Sequence, residues 1–309
     1  MRYIILFLIF LPISSRADKA PELSVSDSIH QTISNSIEKT ADYLDDYFTN
    51  ERRNVEGSKS RVILSFANLY DKDVPNSQKL NIDVRLNLPK TENKWHLFVS
   101  NTINSLSTDQ TTPFQDQTSQ AVQQSDYLAA LQYVIAETHL WQLSSRAGVV
   151  FRVPMDTFVR FRARRLFHLK LVDNRLVQEF YWSVQNRFIE TSTVDFERLL
   201  SEKWFSRLHF SVYWGDKANE WQYVNDFGLF HKLISKLVVK YDVGYQALLS
   251  HQFNLTKVFI NLRYRRNFLK KWMYFEVVPE LFRDQDNWRK TRFQFLFKLD
   301  LVFGKTPNE

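Results

Sequence analysis

The chain has 309 residues, a formal net charge of +7, six glycines and no cysteine. Without cysteine it has no disulfide scaffold, no thiolate metal site and no cysteine nucleophile. The positive charge is spread along the chain, so it favours acidic partners such as lipopolysaccharide phosphates or anionic solutes and gives no specific support to nucleic-acid binding. The 26 phenylalanines, 13 tyrosines and 8 tryptophans, together with the scarcity of glycine, favour β-strands.

The chain begins like a secretory signal peptide. Arg2 precedes an apolar run at 3–13, and the small residues Ser15 and Ala17 stand where a signal peptidase requires them. The apolar run is shorter than the roughly 20 residues of a membrane-spanning helix. We therefore expect residues 1–17 to be removed on export, the alternative being an uncleaved amphipathic anchor.

Residues 27–50 show the spacing of an amphipathic helix. Apolar side chains recur every three or four positions, at Ile29, Ile33, Ile37, Ala41, Leu44 and Phe48. Three roles are open to this helix: packing at the mouth of a barrel, insertion into the lumen as a plug, or contact with another envelope protein. The polar stretch 51–60 predicts a linker, so residues 18–59 form a predicted periplasmic helix and linker.

From residue 60 onward the apolar period is two, which is the period of a β-strand. The clearest case is the stretch 291–304, where alternate positions are Phe293, Phe295, Phe297, Leu299, Leu301 and Phe303. Fourteen candidate strands lie near 61–70, 80–88, 94–100, 126–137, 140–153, 156–169, 174–187, 190–199, 206–215, 221–232, 237–249, 257–268, 271–283 and 290–303. Errors at the boundaries would leave twelve.

These strands predict an all-β fold, a transmembrane antiparallel β-barrel of 12–14 strands over residues 60–304, with an N-terminal amphipathic helix and a tail at 305–309. Strands of this length suit a tilted span, and an even count places both chain ends in the periplasm. The Thr/Gln/Ser-rich stretch 102–125 is then an external loop. Tryptophans near strand ends resemble an interface girdle: Trp141, Trp204, Trp214, Trp221, Trp272 and Trp288.

In such a barrel the last strand closes against the first strand, near 61–70. Its large apolar side chains are expected to face lipid, and Gln294, Lys298 and Asp300 the lumen. Outer-membrane barrels commonly end on an aromatic residue, whereas here six residues follow Phe303.

The charged positions opposite the apolar ones are the predicted lumen-lining residues. They are Asp83, Arg85, Arg146, Arg152, Arg160, Arg162, Arg164, Glu179, Arg263, Arg265, Glu276, Glu280, Lys298 and Asp300, with Lys240 and Asp242 as further candidates. A ladder of arginines can form a constriction that selects anions. The alternative is a packed interior in which the arginines pair with carboxylates of neighbouring strands.

The sequence gives one weak catalytic candidate. His209 and Ser211 share a strand face, and a His-x-Ser pair also occurs in an outer-membrane lipid A deacylase, although chance alternation makes such pairs common. An enzyme of that kind needs a nearby carboxylate at the lipid-exposed rim. The sequence contains no HExxH, no GxSxG and no phosphate-binding glycine loop, and no cofactor or metal is expected.

Several segments carry a resemblance: SRVILSF (60–66), DVRLNLPK (83–90), AGVVFRV (147–153), RFRARR (160–165), NLRYRRNF (261–268) and FEVVPELFRDQDNWRKT (275–291). Together they resemble an uncharacterised family of predicted outer-membrane β-barrel proteins of Gram-negative bacteria. The likeness covers roughly 40–304 and includes the acidic-aromatic stretch DYLDDYF (42–48). It implies a signal peptide, a helical segment and a barrel, and it brings no site residues.

The expected function is therefore that of an outer-membrane barrel of structural or channel type, passing small anionic solutes through an arginine-rich lumen. The alternatives are a lipid-modifying outer-membrane enzyme and a soluble periplasmic β-protein that binds a ligand. The expected partners are membrane lipid, lipopolysaccharide, the barrel-assembly machinery and an envelope protein that contacts residues 27–50.

Overall fold

The computed structural model describes residues 40, 43–44, 60–88, 94–101, 127–138, 140–169, 172–217, 219–234, 237–250, 252–270 and 272–304. Fourteen strands follow one another: β1 (Arg61–Asp71), β2 (Val74–Asn87), β3 (Trp95–Ser100), β4 (Tyr127–Glu137), β5 (Trp141–Phe151), β6 (Asp156–His168), β7 (Asp173–Ser183), β8 (Arg187–Ser201), β9 (Trp204–Gly215), β10 (Glu220–Ile234), β11 (Leu237–Leu249), β12 (Phe253–Asn267), β13 (Met273–Asp284) and β14 (Arg292–Gly304). Residues 40, 43 and 44, inside the predicted helix, are helical.

All fourteen strands form one closed antiparallel barrel in which each strand pairs with its neighbours in sequence and β14 pairs with β1. The seam between β1 and β14 runs without a register shift from Arg61 opposite Gly304 to Asp71 opposite Gln294. The predicted barrel and its predicted closing pair are thus confirmed, and the twelve-strand alternative is wrong. The largest difference between a predicted and an observed strand boundary is at the start of β2. This strand was predicted from residue 80 but begins at Val74, because its turn from β1 is only two residues long.

The alternation of apolar and polar residues in the sequence corresponds to an alternation of exposed and buried side chains. In β14, Gln294 and Asp300 are buried whereas Phe293, Phe297 and Phe303 are exposed. Since a single closed sheet has one inside and one outside, the buried set faces the interior. The large apolar side chains of β14 therefore face outward, as predicted.

The two ends of the barrel are named here by the chain. The terminal rim is the end where β1 begins and β14 ends, and the distal rim is the end with the turn 72–73 and the loop 285–291. Because the strand count is even, the barrel begins and ends at the same rim. Strand directions place three of the tryptophans at each rim, with Trp141, Trp204 and Trp272 at the terminal rim and Trp214, Trp221 and Trp288 at the distal rim.

Ion pairs join the first and last hairpins at the distal rim. Lys290 Nζ lies 2.7 Å from Asp73 Oδ1, which places the last loop against the first turn. Arg292 donates to Asp71 at 2.9 Å and to Asp284 at 2.8 Å. The seam is thus held by side chains as well as by the backbone.

Several predicted features lie outside the described residues. These are the signal peptide at 1–17, most of the helix and linker at 18–59, most of the loop at 102–125 and the tail at 305–309. Across the described part of the chain, no helix combines the length and the apolar character needed to cross a membrane.

Candidate functional site

The interior of the barrel contains a buried charge network on β12, β13 and β14. Arg263 Nε donates to Glu276 Oε1 at 2.6 Å. Arg265 Nη1 lies 2.7 Å from Glu276 Oε2 and 2.6 Å from Asp300 Oδ2. Lys298 Nζ lies 3.5 Å from Asp300 Oδ1. Arg265, Glu276 and Asp300 have no solvent-exposed surface, so this part of the interior is packed rather than open.

Glu280 continues this network toward the distal rim. It accepts hydrogen bonds from Lys257 at 2.6 Å, from Gln294 at 2.7 Å and from Asn261 at 3.2 Å. Three donors around one buried carboxylate offset the cost of removing it from water.

A second group of charges lies on β5, β6 and β7. Arg146 donates through Nε to Gln132 Oε1 at 3.0 Å, and its guanidinium lies over the ring of Phe98. In the register of β5 and β6, Arg146 stands directly opposite Arg160. Glu179 accepts a hydrogen bond from Arg160 and lies 3.3 Å from Arg162. The Glu179 carboxylate therefore pairs with two of these three arginines.

The remaining predicted lumen residues are half-buried. Asp83 and Arg85 pair within β2 at 3.1 Å. Arg164 lies on the interior face of β6, closer to the terminal rim than Arg162. Arg152 follows the last residue of β5 and pairs with Asp156, so it lies in the β5–β6 turn at the distal rim. That any of these residues lines a solute path stays a prediction.

The ion pair between Lys240 and Asp242 lies against a glycine of the neighbouring strand. Lys240 Nζ lies 2.7 Å from Asp242 Oδ1 on the interior face of β11. A Cβ at Gly228 of β10 would come within 2.8 Å of Asp242 Oδ1 and of Lys240 Cε. A side chain at residue 228 would therefore require the ends of the Lys240 and Asp242 side chains to shift.

A third buried group lies on β7, β8 and β9, and of its members the sequence singled out only His209. Arg175 donates to Asp195 Oδ2 at 2.9 Å and lies 3.2 Å from Glu197 Oε1. Arg207 donates to Glu197 at 2.7 Å, and His209 Nδ1 lies 2.6 Å from Asp195 Oδ1. In the sequence, polar residues alternate with apolar ones along each of these strands. This alternation predicts which side of the sheet a residue faces, but not which residue of the next strand it contacts.

The catalytic candidate lies in this third group. His209 has an acidic partner in Asp195, and the hydroxyl of Ser211 lies 3.4 Å from that of Thr193. However, His209 is fully buried and Ser211 is 6% exposed, both on the interior face. The carboxylate that a lipid-modifying enzyme needs is therefore present, but not at a lipid-exposed rim.

Two described residues of the predicted helix, Tyr43 and Leu44, lie at the terminal mouth of the barrel. Leu44 is 2% exposed and belongs to an apolar cluster with interior side chains of six strands, namely Ile63, Phe205, Phe230, Val238, Tyr274 and Val302. Tyr43 packs against the same cluster and places its ring 4.6 Å from Lys232 Nζ. Burial, with a smaller effect of Tyr274, raises the pKa of Tyr43 to about 12. Beside this contact a cavity of about 200 Å³ remains against β8, β9 and β10.

Within the residues that the structure describes, no group of three or more metal-ligating side chains comes together. The pairs of His209 with Asp195 and of His168 with Asp173, at 2.6 and 3.0 Å, are hydrogen-bonded pairs of a histidine and a carboxylate.

No family model and no curated protein sequence matches the chain. Among solved structures, it is similar to a bacterial polysaccharide outer membrane secretin, with 11% identity over 80% of this chain and 99% of that chain and a TM-score of 0.48. The outer membrane channel DcaP of Acinetobacter baumannii matches with 10% identity, 82% and 100% coverage and a TM-score of 0.44. The KdgM porin matches with 6% identity, 77% and 98% coverage and a TM-score of 0.38. At these scores the likenesses do not extend to function, which has to be argued from the barrel itself.

Proposed function

We propose that the protein is an outer-membrane β-barrel of channel type whose terminal mouth is closed by its own N-terminal segment. The observation that supports this proposal is the polarity of the wall. Phe297, Ile260 and Phe161 are exposed on the outside, whereas Arg265, Glu276 and Asp195 are buried on the inside. A soluble protein would bury the apolar face, so this arrangement favours a barrel in a bilayer over a soluble ligand-binding β-protein.

The preferred solute is a small anion. The interior positions of β5 and β6 include Arg146, Arg160, Arg162 and Arg164, and Glu179 pairs with Arg160 and Arg162 among them. Guanidinium groups stay charged at any physiological pH and bind carboxylates and phosphates through paired hydrogen bonds. A local excess of fixed positive charge in a narrow interior favours the entry of anions over cations.

The closed mouth implies a condition for conduction. Leu44 belongs to one apolar cluster with interior side chains from β1, β9, β10, β11, β13 and β14, all near the terminal rim. A solute passes only when this segment leaves the rim. We therefore propose that the helix acts as a plug, which is the second of the roles considered from the sequence.

Planar-bilayer recordings test the channel. The full mature chain is compared with a Leu44→Asp variant and with a chain that lacks residues 18–58. We expect low conductance from the mature chain and larger conductance from both altered chains, because an aspartate is unfavourable in the apolar cluster. Under a KCl gradient the reversal potential should show anion preference, reduced in the double variant Arg160→Gln and Arg162→Gln.

A matched control for charge is Arg198→Gln on the exposed face of β8, which should leave the reversal potential unchanged. Absence of conductance from all three chains would reject the channel.

Membrane location is tested separately, by cell fractionation and by the heat-dependent gel migration of a folded barrel. Recovery of the protein in the soluble periplasmic fraction would reject the barrel's proposed place in the membrane.

A further inference from the structure

A cavity of about 200 Å³ lies at the terminal rim, between the helical residues and the barrel wall. Its lining comes from the helical segment and from β8, β9 and β10, and includes Thr40, Tyr43, Leu44, Leu199, Phe205 and Phe230. An apolar cavity of about 150 Å³ is large enough to hold benzene. This rim cavity therefore suits a ligand that is built on a single ring.

The wall of the rim cavity is largely aromatic. Phe205 and Phe230 are buried, and their ring centroids lie 5.6 Å apart in an edge-to-face arrangement. Tyr43 packs against the same apolar cluster from the helical side, next to Leu44. Because aromatic rings prefer edge-to-face or offset contacts with other rings, these side chains favour a flat aromatic ligand over a flexible chain.

Three charged side chains of the described residues also line the rim cavity. They are Glu202 and Lys203, in the turn between β8 and β9, and Lys232, near the end of β10. The backbone holds the two lysines side by side, since the amide of Lys232 donates to the carbonyl oxygen of Lys203 at 2.8 Å. Two ammonium groups and one carboxylate give a net charge of +1, so the cavity favours a ligand with a single negative charge.

A ligand in the rim cavity contacts the helical segment and the barrel at the same time. Tyr43 and Leu44 form one side of the cavity and Phe205 and Lys232 belong to the other, so the cavity exists only while the helical residues are docked. A ligand that binds one of two states shifts the population toward that state. Occupation of the cavity therefore stabilises the docked arrangement.

We propose that the rim cavity binds one small aromatic carboxylate, of the size of benzoate, and that this ligand holds the N-terminal segment at the rim. Its ring packs between Tyr43, Leu44 and Phe205, and its carboxylate accepts hydrogen bonds from Lys203 and Lys232. The binding site rests on the geometry of the rim, whereas its effect on conduction rests on the proposed function. The ligand is a regulator of the channel and differs in place from the solute attracted by the arginines of β5 and β6.

Fluorine NMR of the full mature chain in detergent tests the binding. Para-fluorobenzoate is titrated in parallel with para-fluorobenzamide, which has nearly the same shape and no charge. Acetate, which has the charge and no ring, is added as a competitor. We expect one fluorobenzoate per barrel and about tenfold weaker binding of the amide, because the amide forms no charge-assisted hydrogen bond with the lysines. Acetate at the same concentration should not displace fluorobenzoate.

Substitutions at the charged positions test whether the charge of the rim cavity selects the ligand. Lys232→Gln should weaken fluorobenzoate binding about tenfold and leave fluorobenzamide binding unchanged, which shows that the cavity is still present. Glu202→Gln removes a like charge and should strengthen fluorobenzoate binding. The matched control is Lys270→Gln, since Lys270 is exposed in the turn between β12 and β13 at the same rim, and it should alter neither ligand. Equal binding of the two ligands by the wild type, or wild-type fluorobenzoate binding by Lys232→Gln, would overturn the proposal.

The effect on docking is tested with Leu44→Asp. This variant should lose fluorobenzoate binding, because the helical side of the cavity is no longer in place. In planar bilayers, fluorobenzoate should lower the conductance of the mature chain and not that of Leu44→Asp, and an equal decrease in both would overturn the effect on docking. Absence of conductance from every chain would reject the channel, whereas absence of fluorobenzoate binding by a chain that conducts would reject the rim site alone.

Discussion

Arg265 of β12 reaches across β13 and lies 2.6 Å from Asp300 of β14, with Glu276 of the intervening strand 2.7 Å from the same nitrogen. One guanidinium therefore joins three successive strands next to the seam of the barrel. All three side chains are fully buried, so each charge depends on the others for its solvation.

Replacement of Arg265 by methionine should destabilise the barrel by about 3–5 kcal/mol, because two carboxylates are left buried near one another without this shared donor. Equilibrium unfolding in urea, with the protein in lipid vesicles, measures the change. Arg266→Met is the matched control, since the neighbouring arginine is exposed on the outer face, and its change should stay within about 0.5 kcal/mol. Equal midpoints for the two variants would contradict the role given to Arg265.

Two charged substitutions test whether the large apolar side chains of β14 face lipid. Phe297 lies near the middle of the strand and Phe293 next to its distal end, and both are exposed. Phe297→Arg should cost about 2–4 kcal/mol and Phe293→Arg about 0–1 kcal/mol, since the penalty for a charge falls from the bilayer midplane to the interface. The same unfolding assay measures both. A Phe297→Arg barrel as stable as the wild type would show that Phe297 does not meet lipid.

The seam at the distal rim should weaken in acid. The hydrogen bond from Lys290 holds the pKa of Asp73 below its ordinary value of 3.8. A lowered folded-state pKa means that this contribution is present above pH 3.8 and is lost as the pH falls through the lowered value. Asp73→Asn should therefore have a lower unfolding midpoint than the wild type at pH 7, and the difference should vanish in strong acid. A difference that persists unchanged at pH 2 would exclude the ion pair as its cause.

The proposed docking of the N-terminal segment at the terminal rim should weaken in alkali. Burial raises the pKa of Tyr43 from 10.0 to about 12, so the docked state favours the neutral phenol. The raised value means that docking is fully stabilised below pH 10 and is weakened as the pH rises toward 12. Bilayer conductance of the wild type should increase over this interval, and that of Tyr43→Phe should increase less. Identical pH profiles would show that Tyr43 does not hold the plug.

The periodicity of the sequence was sufficient to predict most of the wall. The alternation in β14 is confirmed because a strand has only two faces and the large apolar residues occupy one of them. The predicted end of β7 was four residues too late, since Ser183 already pairs with Arg187 across a tight turn. The turn between them, Val184, Gln185 and Asn186, begins with an apolar residue and so resembles a continuation of the strand.

Contacts between strands were beyond the reach of the sequence. The pairing of His209 with Asp195 depends on the register of β8 against β9. Leu44 was one of six apolar positions in the helix, with no sign that it would enter the barrel. The register of two strands and the burial of Leu44 depend on contacts across the whole barrel. The side of the sheet that a residue faces depends only on its position along its own strand.

The unbroken seam between β1 and β14 has a consequence for biogenesis. It joins residues separated by more than 200 positions, from Arg61 with Gly304 to Asp71 with Gln294, so its contact order is the highest in the protein. Contacts of this kind form slowly because the loop entropy of the whole chain must be lost first. Until β14 arrives, two strand edges with unpaired amide and carbonyl groups remain open to aggregation. Folding of this chain therefore requires that the incomplete sheet be kept from self-association until its last strand has paired.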